Sequence, residues 1–106
     1  MDQYLGQLVG YCARLKDYQG SIDALGKIVE LRLNEFGDDY DGVLIPLLRI
    51  ASYQRVLQVN DMVIETSRKG IEHAKMCLDS EECKQNEEKK NSVLKLLFEF
   101  HELLYH

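Results

Sequence analysis

His73 and Cys77 stand four residues apart, a spacing that puts both on one face of a helix. An imidazole nitrogen beside a thiol is half of a tetrahedral zinc site, and it is also the core of a nucleophilic pair. Cys83 and His101 are the residues that would complete a metal set. The spacings follow no zinc pattern and Cys77 falls on an apolar stripe, so a buried thiol is the expected state, with no metal and no cofactor. A Cys–His nucleophile would also need an orienting group, oxyanion donors and a pocket. The chain has no Gly-rich phosphate loop, no His–Glu–Xaa–Xaa–His and no Gly–Xaa–Ser–Xaa–Gly. A small Cys/His enzyme is the distant alternative, and the expectation is a protein that is not an enzyme. Asp38, Asp39 and Asp41 gather three carboxylates before Gly42, without the length, alternation and closing glutamate of a calcium loop. Asp39 or Asp41 fits a helix N-cap more simply.

The elements that must position these residues come from a chain of 106 residues, one domain or a piece of one. Apolar residues make up 45% and charged residues 29%, as in ordinary globular proteins. The net charge of -5 and the acidic neighbours of Arg68–Lys69 and Lys89–Lys90 disfavour nucleic acid and anionic membrane surfaces as partners. No apolar run reaches the roughly 18 residues of a membrane span. The opening Met–Asp–Gln–Tyr lacks the basic start and apolar core of a secretory signal. Cys12, Cys77 and Cys83 have no framework spacing, so free thiols in a reducing compartment are expected, cytoplasm or nucleus.

Helical periodicity predicts an all-α chain: a hairpin over 4–36, a second over 43–79, a polar linker over 80–90 and a final helix over 91–105. Leu5, Leu8, Val9, Cys12 and Leu15 make the first stripe. Gly6 and Gly10 weaken that helix by up to ~1 kcal/mol each, and two glycines in one helix imply either close packing by a neighbour or tolerance. Asp17 fits the N-cap of the next helix, and Gly37 fits its C-terminus. The third helix, 43–58, carries a broad stripe that predicts contact on more than one side, with Pro46 in its first turn. In the fourth helix the small residues Ser67, Gly70 and Ala74 allow a neighbour to approach closely. An ordinary five-helix bundle is the alternative architecture.

The hairpin plan resembles the tetratricopeptide repeat, a helical protein-interaction module. Leu5, Leu8 and Val9 stand where that family places a large–large–small trio. Lys16–Asp17–Tyr18 looks like its Gly–Asp–Tyr turn with lysine replacing glycine, and Ser21, Leu25 and Ile28 match its second-helix core positions. Phe36–Gly37–Asp38–Asp39–Tyr40, then Val43, Leu47, Ile50 and Ala51, follow the order of the longer repeats of kinesin light chains. The first helix of the second hairpin departs by running about three residues longer. The resemblance spans about residues 4–78. It implies a concave groove lined by the first helix of each hairpin, holding a peptide or partner helix. Transferred by position, that groove contains Gly6, Gly10, Ala13 and Arg14, then Leu48, Ser52 and Arg55. Two guanidinium forks, Arg14 and Arg55, in one groove would suit an acidic segment or a C-terminal carboxylate.

The final helix is more apolar than one hairpin covers. Leu96, Phe98, Leu103 and Tyr105 crowd beyond its main stripe, and such a patch left in water is sticky. It predicts a homodimer, a bound partner or a missing neighbouring repeat. The expected function is thus an adaptor or scaffold that binds a protein or peptide. The alternative is a self-association domain built on the final helix.

Overall fold

The computed structural model describes residues 2–37 and 40–104. Its helices are α1 (Asp2–Arg14), α2 (Tyr18–Phe36), α3 (Leu44–Val56), α4 (Asn60–Asp79), α5 (Glu81–Gln85) and α6 (Glu87–Leu104). A 3-10 turn, Asp41–Val43, leads into α3. Among the described residues there is no strand, and the chain is all-α as the periodicity predicted.

Local chemistry sets the boundaries. Asp17 caps α2, its carboxylate accepting the Gly20 N–H at 3.0 Å. Gly37 ends α2 at φ 99°, a backbone region that costs glycine little, and its N–H donates to the Leu33 carbonyl at 3.0 Å. Pro46 is the third residue of α3, where its missing N–H would have had no helical acceptor. The entry to α3 differs from expectation. Tyr40 and Val43 hold the capping positions without a side-chain cap, and Asp41 lies inside the 3-10 turn. Asp38 and Asp39 lie outside the described residues.

The two hairpins repeat each other with a constant offset of 42 positions: Asp2 to Leu44, Lys16 to Gln58 and Tyr18 to Asn60. Both first helices have 13 residues, so the longer third helix expected from the sequence is corrected. Both turns close with the same three backbone bonds. Leu15, Lys16 and Asp17 donate to Tyr11, Ala13 and Cys12, while Leu57, Gln58 and Val59 donate to Tyr53, Arg55 and Gln54. Lys16 and Gln58 are left-handed, at φ 61° and 62°. The 6→1 and 5→2 bonding favours glycine at that position.

The helices stack in chain order. Each of α1, α2 and α3 packs on the next, and α4 packs on α6, which also touches α3. The chief neighbour of α1 is α2, an order of packing that suits stacked hairpins or a bundle. Its extents are 41 × 34 × 20 Å. One core joins Leu5 and Val9 of α1, Leu25 and Ile28 of α2, and Ile50 of α3. A second joins Leu44, Ile71, Cys77, Cys83, Val93 and Phe100. Helix α3 serves both, which accounts for its broad stripe. The Phe100 ring lies directly over Gly70, where an added Cβ would stand 2.4 Å from it. Small residues on α4 therefore admit a neighbour, as their size predicted. Gly6 and Gly10 have nothing within 4 Å of such an atom, so α1 tolerates them without close packing.

The polar stretch after α4 is more ordered than a linker. Ser80 caps α5 by accepting the Cys83 N–H at 3.3 Å while its hydroxyl donates to the Cys77 carbonyl at 2.7 Å. Asn86 then accepts the Lys89 N–H at 3.1 Å, so α6 begins at Glu87 and not at residue 91.

Candidate functional site

Helices α3 and α6 lie side by side and run the same way. At their N-terminal ends Lys89 of α6 binds Asp41 at 3.4 Å and Glu82 at 2.5 Å. At their C-terminal ends Leu48, Ser52 and Arg55 of α3 line a cleft with Glu99, Glu102 and Leu103 of α6, about 310 Å³ in volume. The Lys89 ammonium ties the start of α6 to the turn that leads into α3. Its hydrogen bond to Glu82 raises its pKa above the ordinary lysine value, aided by the charge of Asp41 and opposed by desolvation.

The cleft is apolar at its base and charged at its rim. Leu48 and Leu103 are half-buried, and Ser52, Arg55 and Glu102 are exposed. The Ser52 hydroxyl donates back to the Leu48 carbonyl at 2.9 Å, which leaves its oxygen to accept. Two carboxylates stand against one guanidinium, so the rim carries a formal excess of one negative charge.

Of the seven sequence-selected groove residues, Leu48, Ser52 and Arg55 therefore meet in one place. Gly6, Gly10, Ala13 and Arg14 of α1 do not line it; Gly10 and Arg14 are exposed. Arg55 shares this cleft with Glu99 and Glu102, and Arg14 lies outside it. Those glutamates were missed. Their signal was the stripe Leu96, Glu99, Leu103 on the flank of the final helix, legible only once a partner helix is known.

The self-association set is also redistributed. Leu96 packs against the second core, Leu103 lines the cleft, and Tyr105 lies outside the described residues. Of the three described, Phe98 alone is strongly exposed, at 64%.

The Cys and His residues are scattered. The His73 imidazole donates from Nε2 to the Tyr40 carbonyl at 2.5 Å, tying α4 to the turn before α3. His101 lines a separate groove over α4 with Glu72 and Lys75. Cys12, Cys77 and Cys83 are buried and form no disulfide. Among the described residues no three His, Cys, Asp or Glu gather to hold a metal. No helix among them is long and apolar enough to cross a membrane.

The chain matches no protein-family model, no curated protein and no solved structure.

Proposed function

We propose that this chain is a non-enzymatic interaction module, an adaptor or scaffold, whose α3/α6 cleft holds a peptide or partner helix by a basic side chain. The observation that carries this reading is the convergence of Leu48, Ser52 and Arg55 with Glu99, Glu102 and Leu103. A lysine or arginine stem would lie on the two leucines, with its charged head between the two glutamates. Arg55 would meet a carbonyl or carboxylate of the same segment. A cleft of about 310 Å³ takes one or two side chains, so the rest of the segment would lie along the surface of α3 and α6. The net charge of -5 favours encounter with basic partners.

We read the array as tetratricopeptide-like, of the longer kinesin-light-chain type. The 42-position repeat and the left-handed Lys16 at the family's glycine position support that reading. A reducing compartment, cytoplasm or nucleus, suits three buried cysteines that form no disulfide.

Selection from a phage-displayed random peptide library tests the proposal. Sequences that pair a basic residue with aliphatic ones should be enriched. Their binding, followed by fluorescence anisotropy, should weaken by about tenfold or more in the Glu99→Gln, Glu102→Gln double variant. Arg14→Ala should leave it unchanged. Enrichment of acidic sequences, or binding indifferent to both glutamates, would sink the assignment.

A further inference from the structure

We infer that α6 pairs antiparallel with α6 of a second copy, making a twofold homodimer. In both preceding hairpins the first helix runs beside an antiparallel second helix, α1 with α2 and α3 with α4. Helix α6 packs on α4 and α3, and among the described residues nothing covers its opposite face. That face is a stripe of Asn91, Leu94, Lys95, Phe98 and Glu102, all exposed. Lys95, Phe98 and Glu102 fall within roughly 60° of arc on a helix of 3.6 residues per turn. Neither Lys95 nor Glu102 has an ion-pair partner among the described residues.

The stripe complements itself in one orientation. With a twofold axis beside Phe98, each Phe98 meets its copy, and Lys95 comes opposite Glu102 of the partner subunit. Symmetry makes the same pair a second time. A parallel arrangement would set lysine against lysine and glutamate against glutamate, which charge repulsion opposes. Leu94 flanks Phe98 and widens the apolar centre. One helix pair buries less than the roughly 1,600 Å² of a standard interface, so the dimer is weak and its formation depends on concentration and salt. The stripe shares Glu102 with the rim of the α3/α6 cleft but none of its other lining residues; Phe98→Asp lies outside the cleft and mass alone reads it out, so failure here leaves the peptide reading standing.

Sedimentation velocity of the full chain across a hundredfold concentration range is the test. The mass should rise from 12.3 kDa toward twice that value. Phe98→Asp should move the association midpoint to higher concentration by on the order of tenfold or more, as expected for a central aromatic anchor. Lys95→Glu and Glu102→Lys should each weaken association, and the double reversal should restore it. These side chains are exposed, and far-UV circular dichroism should show unchanged helix content in every variant. A mass fixed at 12.3 kDa overturns the dimer. A dimer indifferent to Phe98→Asp places the interface elsewhere. Failure of the double reversal to restore association overturns the antiparallel register.

Discussion

The two seams of the array solve one packing problem in opposite ways. At the first, α2 brings Leu25 and Ile28, and α3 contributes Ile50. At the second, the positions 42 residues on are Ser67 and Gly70, both buried, and α6 contributes Phe100. Bulk has moved from the earlier helix of the seam to the later one. Interiors are packed near crystal density, so what must be conserved between repeats is filled volume and not the residue at a given position. Even spacing at the first seam spreads the energy over several aliphatic side chains. The second seats one ring on one glycine among its aliphatic side chains.

That contrast is open to direct attack by urea denaturation. Phe100→Ala should be the most damaging change, costing about 3–5 kcal/mol, because it empties the centre of the second core. Gly70→Ala should cost about 1–3 kcal/mol by driving a methyl into the ring. Gly26→Ala, on α2 with nothing within 4 Å of the added atom, should stabilise by about 0.5–1 kcal/mol through helix propensity alone. If Gly70→Ala and Gly26→Ala moved stability in the same direction, the ring-on-glycine account would be wrong.

The equivalence of the turns makes a finer test. Lys16→Gly and Gln58→Gly each relieve a left-handed non-glycine residue and should stabilise by similar amounts, about 0.5–1 kcal/mol. A gain at one turn only would mean that the repeated hydrogen bonding hides unequal strain.

The smallest effect belongs to Lys89. Its pKa is raised in the folded state, mainly by the hydrogen bond to Glu82. Its contribution is therefore complete below the ordinary lysine pKa and is lost as pH rises through the higher folded value. The stability difference between wild type and Lys89→Met should be steady at neutral pH and shrink in strongly alkaline solution. A difference that shrank on acidification alone would contradict the assignment.

Much of this fold was legible in the spacing of apolar residues, because helices with one wet face advertise their period. Asp17, Gly37 and Pro46 marked boundaries through constraints that act within a few residues. The start of α6 was misplaced because Glu87 to Lys90 look like solvated linker, whereas Asn86 and Ser80 had already supplied the caps. The repeat itself left sequence traces at the same offset: Leu5 and Leu47, Tyr11 and Tyr53, Ile22 and Ile64, Lys27 and Lys69, Glu30 and Glu72. The cleft was half legible. Its α3 wall follows from position within a hairpin, but its α6 wall depends on helix register across more than forty residues, and no local pattern encodes that.

The sharing of α3 has a consequence for how the chain comes apart. With Ile50 in one core and Leu44 in the other, α3 stays packed as long as either core persists. Helix α1 is different, since its departure disturbs chiefly α2. Amide hydrogen exchange should therefore be graded, fastest in α1, where fraying alone suffices, and slowest in α3, whose protons are released only by global unfolding.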